Sequence, residues 1–312
     1  MNARQIVVGF DGSESSRLAL TWAMRAAKAR GVPVLLAHAG FAGIGSVAAA
    51  ATLADDSHDA LMQAERAMVA SAVHEAHREV PGVEVEQKIV TGLPADALLR
   101  LLDGAEMLVV GSRGLGGLAE LLLGSTSLQV ATHATCPVVV VRSLEYIEPG
   151  PQHGRVVVGV DGSHSATDAV EFAFQEASLR GVGLTAIYAW DVPSFQAYGW
   201  LAVPQPDSVL PVYEREAGLL LAEALAGWTE KYPDVEVRRI LQRSPAVSAL
   251  VAAAAGAEVL VVGSRGAGGF RKLVLGSVGH GVLHHAKCPV AVVHRGPQSP
   301  DGHDGAEGKD RS

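Results

Sequence analysis

The sequence predicts an α/β protein made of two tandem, doubly wound domains, each with a five-stranded parallel sheet. Three observations carry that expectation. Nearly the whole chain is repeated: Val7-Val8-Gly9-Phe10-Asp11-Gly12-Ser13 returns as Val157-Val158-Gly159-Val160-Asp161-Gly162-Ser163, and a sequence of this length has room for two cores. Within each repeat, short apolar runs rich in β-formers alternate with stretches of helical period. Strands linked by helices pair in parallel through right-handed crossovers, which puts helices on both faces of the sheet.

The elements follow in order. Ile6 to Phe10 and Val157 to Val160 read as first strands, each ending at Asp-Gly-Ser, where Ser13 or Ser163 can cap the next helix. Leu18, Trp22, Arg25, Ala26 and Ala29 space the face of the first helix; Phe172, Ala173, Glu176, Ala177 and Leu179 do so less cleanly in the second copy. Second strands run Pro33 to His38 and Leu184 to Tyr188. Variable stretches follow, Ala-rich from Ala39 to Asp56, and from Asp191 to Pro211 rich in Pro with Phe195, Tyr198 and Trp200. Both read as long loops, either lids or disorder, leading into helices near Ser57 to Glu79 and Tyr213 to Lys231.

The third strands, Val83 to Val90 and Val235 to Ile240, alternate polar and apolar residues, which suits a sheet edge. Pro94 and Pro245 fit the first turn of a short helix. Met107 to Val110 and Val259 to Val262 are buried fourth strands, and Val138 to Val141 and Val290 to Val293 are the fifth. These apolar last strands need cover, so the halves are expected to meet through them. Domains are expected at 1–142 and 155–296, with a linker at 143–154 holding two prolines and two glycines, and a polar, disordered tail at 297–312.

The formal charge of −8 argues against a nucleic-acid binder, which would carry a basic face. No apolar run reaches membrane-spanning length and no signal-peptide region opens the chain, so a soluble cytoplasmic protein is expected. Cys136 and Cys288 hold equivalent places before Pro-Val and read as small buried residues rather than a bridge.

The chemistry concentrates after the fourth strands. Gly111 to Ser125 and Gly263 to Ser277 both fit Gly-x2-Gly-x9-Gly-Ser and both run into a helix. A strand, a glycine-rich loop and a helix start make a phosphate cradle. Glycines permit close backbone approach, and the unpaired N–H groups of the first helical turn favour an anion. In a doubly wound sheet, Asp11 and the Gly111 loop would face each other across the crevice at the strands' carboxyl ends.

Asp-Gly-Ser after the first strand, the spaced glycine motif after the fourth and the Cys-Pro-Val last strand together resemble the universal stress protein family, of its ATP-binding type. The resemblance covers roughly residues 4 to 142 and 155 to 294. It implies a Rossmann-like, adenine-nucleotide-binding fold, ATP with Mg²⁺ as cofactor, and a role in stress and dormancy control. Its candidate partners are the nucleotide, a second copy of the chain and a regulatory protein, with neither nucleic acid nor membrane among them. It places Asp11 and Asp161 near the adenosine, and the backbone of Ala39 and Ala189 beside adenine. Gly111, Gly114, Gly124 and Ser125 would wrap ribose and phosphates, as would Gly263, Gly266, Gly276 and Ser277. Ser127 matches a further phosphate-contacting hydroxyl, for which repeat two has Gly279. On that difference the first site is expected to be tighter by up to about tenfold. Repeat two departs again at Arg243, where repeat one has Gly92.

Other chemistries fit less well. Neither loop is a Gly-x4-Gly-Lys P-loop, no dinucleotide fingerprint follows the first strand, and no Gly-x-Ser-x-Gly elbow occurs. His280, His284 and His285 have the spacing of helical metal ligands but no acidic or thiol partner fixed nearby. Arg113 and Arg265 could screen phosphate charge or serve as solubilising arginines. No residue set puts a general base beside a phosphate-directed water. Binding is therefore expected rather than catalysis, and no catalytic or metal residue is assigned. The alternatives are a slow ATPase or nucleotidyl-transfer enzyme, or an interaction scaffold with vestigial pockets.

Overall fold

A computed structural model of the chain describes residues 4–40, 55–115, 123–142, 152–190, 206–266 and 275–294. The first half holds β1 (Gln5–Phe10), α1 (Glu14–Arg30), β2 (Val34–Ala39), α2 (Asp55–Glu79), β3 (Val85–Val90), α3 (Pro94–Leu99), β4 (Ala105–Gly111), α4 (Ser125–His133) and β5 (Val138–Val141). The second holds β6 (Val156–Val160), α5 (His164–Arg180), β7 (Leu184–Trp190), α6 (Pro206–Leu225), α7 (Trp228–Lys231), β8 (Val237–Arg243), α8 (Ala246–Ala253), β9 (Val259–Gly263), α9 (Ser277–His285) and β10 (Val290–Val293).

The strands form one ten-stranded sheet in the order β3-β2-β1-β4-β5-β10-β9-β6-β7-β8. Every neighbouring pair is parallel except β5 and β10, which run antiparallel with Val138 opposite Val292, Val139 opposite Ala291 and Val140 opposite Val290. The two sheets expected from the sequence are thus the halves of one, joined through their last strands. β5 and β10 are fully buried, and each buried valine contributes about 1.5–3 kcal/mol relative to exposure. The edges are β3 and β8, whose alternating residues are largely exposed.

One apolar core cluster lies on each face, and each runs through both halves. α1, α2, α5 and α6 cover the first face, and α3, α4, α8 and α9 cover the second. α1 buries a wider band than its sequence face indicated: Ala19, Leu20, Trp22, Ala23, Met24, Ala26 and Ala27 are buried, while Arg25 and Ala29 face out. The reason is position, since α1 touches the sheet, α2 and α5 at once.

Three helix limits differ from the sequence reading. The expected helix from Tyr213 to Lys231 starts earlier, at Pro206, and carries Pro211 as its sixth residue, where the proline gives up one helical hydrogen bond. It also breaks in two at Gly227, whose φ of 78° is left-handed. Pro245 is the residue before α8 rather than its first member. The expected linker, apart from residues 152–154, most of the two variable loops and the tail lie outside the described residues.

The seam is also held by side chains. Glu176, fully buried on α5, bonds Arg30 of α1 through one oxygen and Arg180 Nε through the other at 2.9 Å. The Arg180 guanidinium lies 4.7 Å from the Trp22 ring centre, and Arg30 Nε also reaches Glu106 at 3.5 Å. On the opposite face the halves exchange helix-end contacts. Arg142, after β5, donates to the Leu283 carbonyl of α9, and His294, after β10, lies 3.1 Å from the Ala131 carbonyl of α4.

Candidate functional site

Each half places a crevice where β1 and β4, or β6 and β9, end side by side. This is the switch point of strand order, where open α/β sheets bind ligands. At the end of β1 the chain turns at Gly12, whose φ of 86° suits glycine. Asp11 Oδ1 accepts the Ser13 N–H at 3.0 Å, and Ser13 caps α1 by accepting from Ser16 N at 3.2 Å. The second half repeats this geometry with Gly162 at φ 76°, Asp161 on Ser163 N at 3.0 Å and Ser163 capping α5. Both serines thus cap as expected.

The loop after β4 is latched to that turn. Arg113 O accepts from Ser15 Oγ at 2.5 Å and Ser13 Oγ at 3.2 Å, and Asp11 Oδ2 accepts from Leu115 N at 3.1 Å. A Cβ on Gly114 would stand 2.6 Å from Asp11 Oδ2, and one on Gly266 would stand 2.7 Å from Asp161 Oδ2. Each aspartate therefore faces the second glycine of its motif across the crevice. The first glycine does a different job. A Cβ on Gly111 would lie 2.7 Å from the Ser15 carbonyl carbon and 2.8 Å from Ser16 N, and Gly263 meets Ser165 in the same way. These two glycines let the strand end pack on the first turn of α1 or α5.

The third glycine is different again. Gly124 and Gly276 have ordinary extended backbones, φ −75° and −70°, and act as N-caps of α4 and α9 with no side chain to offer. Among the described residues, a Cβ there would meet nothing closer than 3.4 Å in the first half or 3.6 Å in the second. Neither strain nor internal packing calls for glycine at these positions. What glycine preserves is open space before the helix. The first intrahelical bonds are Leu128 N to Gly124 O and His280 N to Gly276 O, both 3.0 Å. The N–H groups of Ser125, Thr126 and Ser127, and of Ser277, Val278 and Gly279, have no intrahelical acceptor. α1 and α5 spend a serine on such donors; α4 and α9 have no side-chain cap on theirs.

Ser127 departs from expectation. It is buried and donates to Gly111 O at 2.6 Å, so its proton serves the strand end rather than a phosphate. The expected tighter binding by repeat one loses its main support. Gly279 lacks this bond, and a Cβ there would stand 3.8 Å from Gly263 O and 3.0 Å from the flexible end of Leu275. Gly279→Ser is expected to recreate the bond and stiffen α9. It should raise stability by about 1 kcal/mol, read as a higher urea midpoint.

At the end of β2, Gly40 N–H donates to Val90 O at 3.1 Å. Strand alternation turns Ala39 the other way, where the pairing of Phe10 with His38 gives its N–H to Phe10 O and leaves its carbonyl at the crevice end of the strand. In β7, Trp190 O accepts from Ser244 N at 3.0 Å, and the Ala189 N–H goes to Val160 O in the same register, leaving the Ala189 carbonyl at the strand end. The side chains around these two carbonyls are unlike. Beside Ala39 lie His38 and Glu65, both buried, with His38 Nε2 4.0 Å from Glu65 Oε1 and Nδ1 2.8 Å from Phe10 O. A carbonyl only accepts, so Nδ1 carries the proton. In the second half Tyr188 and Trp190 stand at the places of His38 and Gly40, and Ala217 at the place of Glu65. Burial first, and then the nearby Asp161 carboxylate, push the Tyr188 phenol above its usual range. Sequence reasoning missed Glu65, because a single acid on a helix carries no motif.

The remaining groups are quieter. Burial pushes Cys136 up to about 11 and Cys288 up to about 12, so both are inert thiols in the core. His280 and His284 bring their rings within 4.5 Å, but among the described residues no three His, Cys, Asp or Glu side chains gather as a metal site. Arg113 and Arg265 are exposed, each close enough to the seam for its charge to oppose Arg142 or His294. No described helix is long and apolar enough to cross a membrane.

The model of the universal stress protein family matches residues 2–142 and again 153–294. The chain belongs to the universal stress protein family. It carries the family unit twice, and relatives match it over nearly their whole length. Universal stress protein Rv2005c of Mycobacterium tuberculosis is 38% identical over 296 residues, covering 93% of this chain and 97% of that one. Universal stress protein Rv2623 of the same organism is 34% identical over 304 residues, covering 92% and 95%. Among solved structures, a universal stress protein from Archaeoglobus fulgidus shares the fold with a TM-score of 0.61 at 22% identity, over 94% of this chain and 96% of that one.

Proposed function

We propose that each crevice binds an adenine nucleotide, ATP with Mg²⁺ carried on its phosphates, and that the protein is a nucleotide-dependent regulatory module of the cytoplasm. The observation that carries this reading is the duplicated glycine N-cap at Gly124 and Gly276. It supplies, among the described residues, room before the helix and three N–H donors without an intrahelical acceptor, with an aspartate across the crevice. The phosphates take the helix starts with Ser125 and Ser277. Gly114 and Gly266 admit the ribose beside Asp11 and Asp161, and the backbone of Ala39 and Ala189 flanks adenine. Family membership supports the same assignment. β5 is already paired with β10, so a second copy or a regulatory protein would dock on another surface.

Denaturing the purified protein and weighing the released small molecules tests the reading, together with calorimetric titration by Mg-ATP. Two adenine nucleotides per chain is the expected result. No heat at millimolar ATP would overturn it. Steady phosphate release above a heat-killed control, lost when both loops are altered, would replace binding with turnover.

A further inference from the structure

We infer that a cavity between the last turns of α1 and α5 binds a free α-amino acid with a small aliphatic side chain, at a site separate from both crevices.

The cavity encloses about 300 Å³. Arg25, Arg30, Arg180 and Glu258 supply its charged lining, and Leu179 and Val182 its apolar wall. A water takes roughly 30 Å³, and small-molecule sites begin near roughly 300 Å³, so the space suits a small organic molecule.

Arg30 and Arg180 hold equivalent places in the two repeats, yet their bonding differs. All three nitrogens of Arg30 have partners. Nη1 donates to Ala26 O at 3.2 Å, Nη2 to Glu176, and Nε lies 3.5 Å from Glu106. Arg180 Nε donates to Glu176 at 2.9 Å, but Nη1 reaches only Glu258, at 3.8 Å, and Nη2 meets no acceptor among the described residues. Guanidinium groups away from bulk water are normally met by protein, water or ligand. Glu258, 43% exposed on its side chain, is likewise beyond hydrogen-bonding distance of Arg180. A donor and an acceptor of opposite charge thus stand side by side at the cavity, each with capacity for a further partner.

The charges set the class of ligand. A plain anion would stand beside Glu258 and near the carbonyl ends of two helices, which favour positive groups. A plain cation would stand beside Arg25 and Arg180. A molecule with both charges close together puts its carboxylate on the arginines and its ammonium on Glu258. Hydrogen bonds between charged groups of this kind are the strong ones. Leu179 and Val182 then cover an aliphatic side chain, whose removal from water is favourable. Both helices contribute walls, so the ligand spans the seam.

Calorimetric titration of the full chain with L-valine, isovalerate and isobutylamine tests this, because the three share an isopropyl group and differ in charge. Valine should bind once per chain in the millimolar range, at least about tenfold more tightly than either analogue. Ala29 lines the cavity and is exposed, so Ala29→Phe fills the space at little cost to the fold. It should abolish binding and leave the urea midpoint unchanged. Glu258→Gln keeps the shape and removes the charge. It should weaken valine about tenfold and bring valine and isovalerate within about threefold of each other. No heat with valine at tens of millimolar overturns the proposal, as does binding that Ala29→Phe leaves intact. Isovalerate matching valine on the unaltered protein, or an unchanged preference in Glu258→Gln, overturns the assignment to an amino acid.

Discussion

Glu176→Ala is expected to cost about 3–5 kcal/mol, because it leaves two guanidinium groups buried at the seam without their shared carboxylate. Arg30 and Arg180 have side chains only 5% and 15% exposed, and Glu176 has none of its surface in water. Solvent therefore screens little of the loss. Urea unfolding should show a lower midpoint, and a second transition if the halves now open separately. The contrasting triple change, Arg30→Met, Glu176→Leu and Arg180→Met, removes the charges together and should fall within about 1–2 kcal/mol of the parent. A Glu176→Ala protein as stable as its parent would mean that the cluster is held by water rather than by its own pairing.

Gly114→Glu with Gly266→Glu is expected to abolish nucleotide binding and leave the fold intact. Both glycines are exposed and neither has a left-handed φ, so the backbone tolerates a side chain. The new Cβ would crowd Asp11 or Asp161 at 2.6 or 2.7 Å, and its carboxylate would stand before the helix start where phosphates are proposed to sit. Two negative groups about 4 Å apart repel by roughly 4 kcal/mol at an effective dielectric near 20, enough to weaken binding about a thousandfold. Equilibrium titration with Mg-ATP and a thermal melt check the two halves of this expectation. Retained affinity would remove the loops from the site.

Much of the fold was legible because it depends on local signals that occur twice. Strand runs of valine, serine caps after Asp-Gly and edge strands with alternating charge each announce themselves within a few residues. The pairing of β5 with β10 was legible too, since four consecutive apolar residues at a sheet margin require cover. Helix limits in the second half were not. Pro211 read as the end of a loop, yet the helix runs through it at the cost of one backbone bond, and Gly227 was hidden in a periodic stretch. Within the candidate site, the glycine spacing was visible but its division of labour was not. Gly111 serves packing, Gly114 faces an aspartate and Gly124 keeps space open, and only the distances to neighbouring atoms tell them apart. Ser127 shows the converse error, a hydroxyl whose bonding partner lies inside the fold. Glu65 and Glu176 gain their meaning from residues far away in the chain. Aligning the two repeats would have flagged both, as acids opposite alanines.

Joining two like units in one polypeptide has a consequence for what can change at their junction. In an assembly of identical chains, every substitution near the dyad appears twice, so an acid placed there would face its own copy. Here Glu176 occupies one side, and its counterpart on α1 is the buried Ala26. One carboxylate can therefore serve an arginine from each half. Fusion lets residues on the axis mutate singly, and the same licence allows one crevice to acquire an acid while its twin acquires aromatic rings.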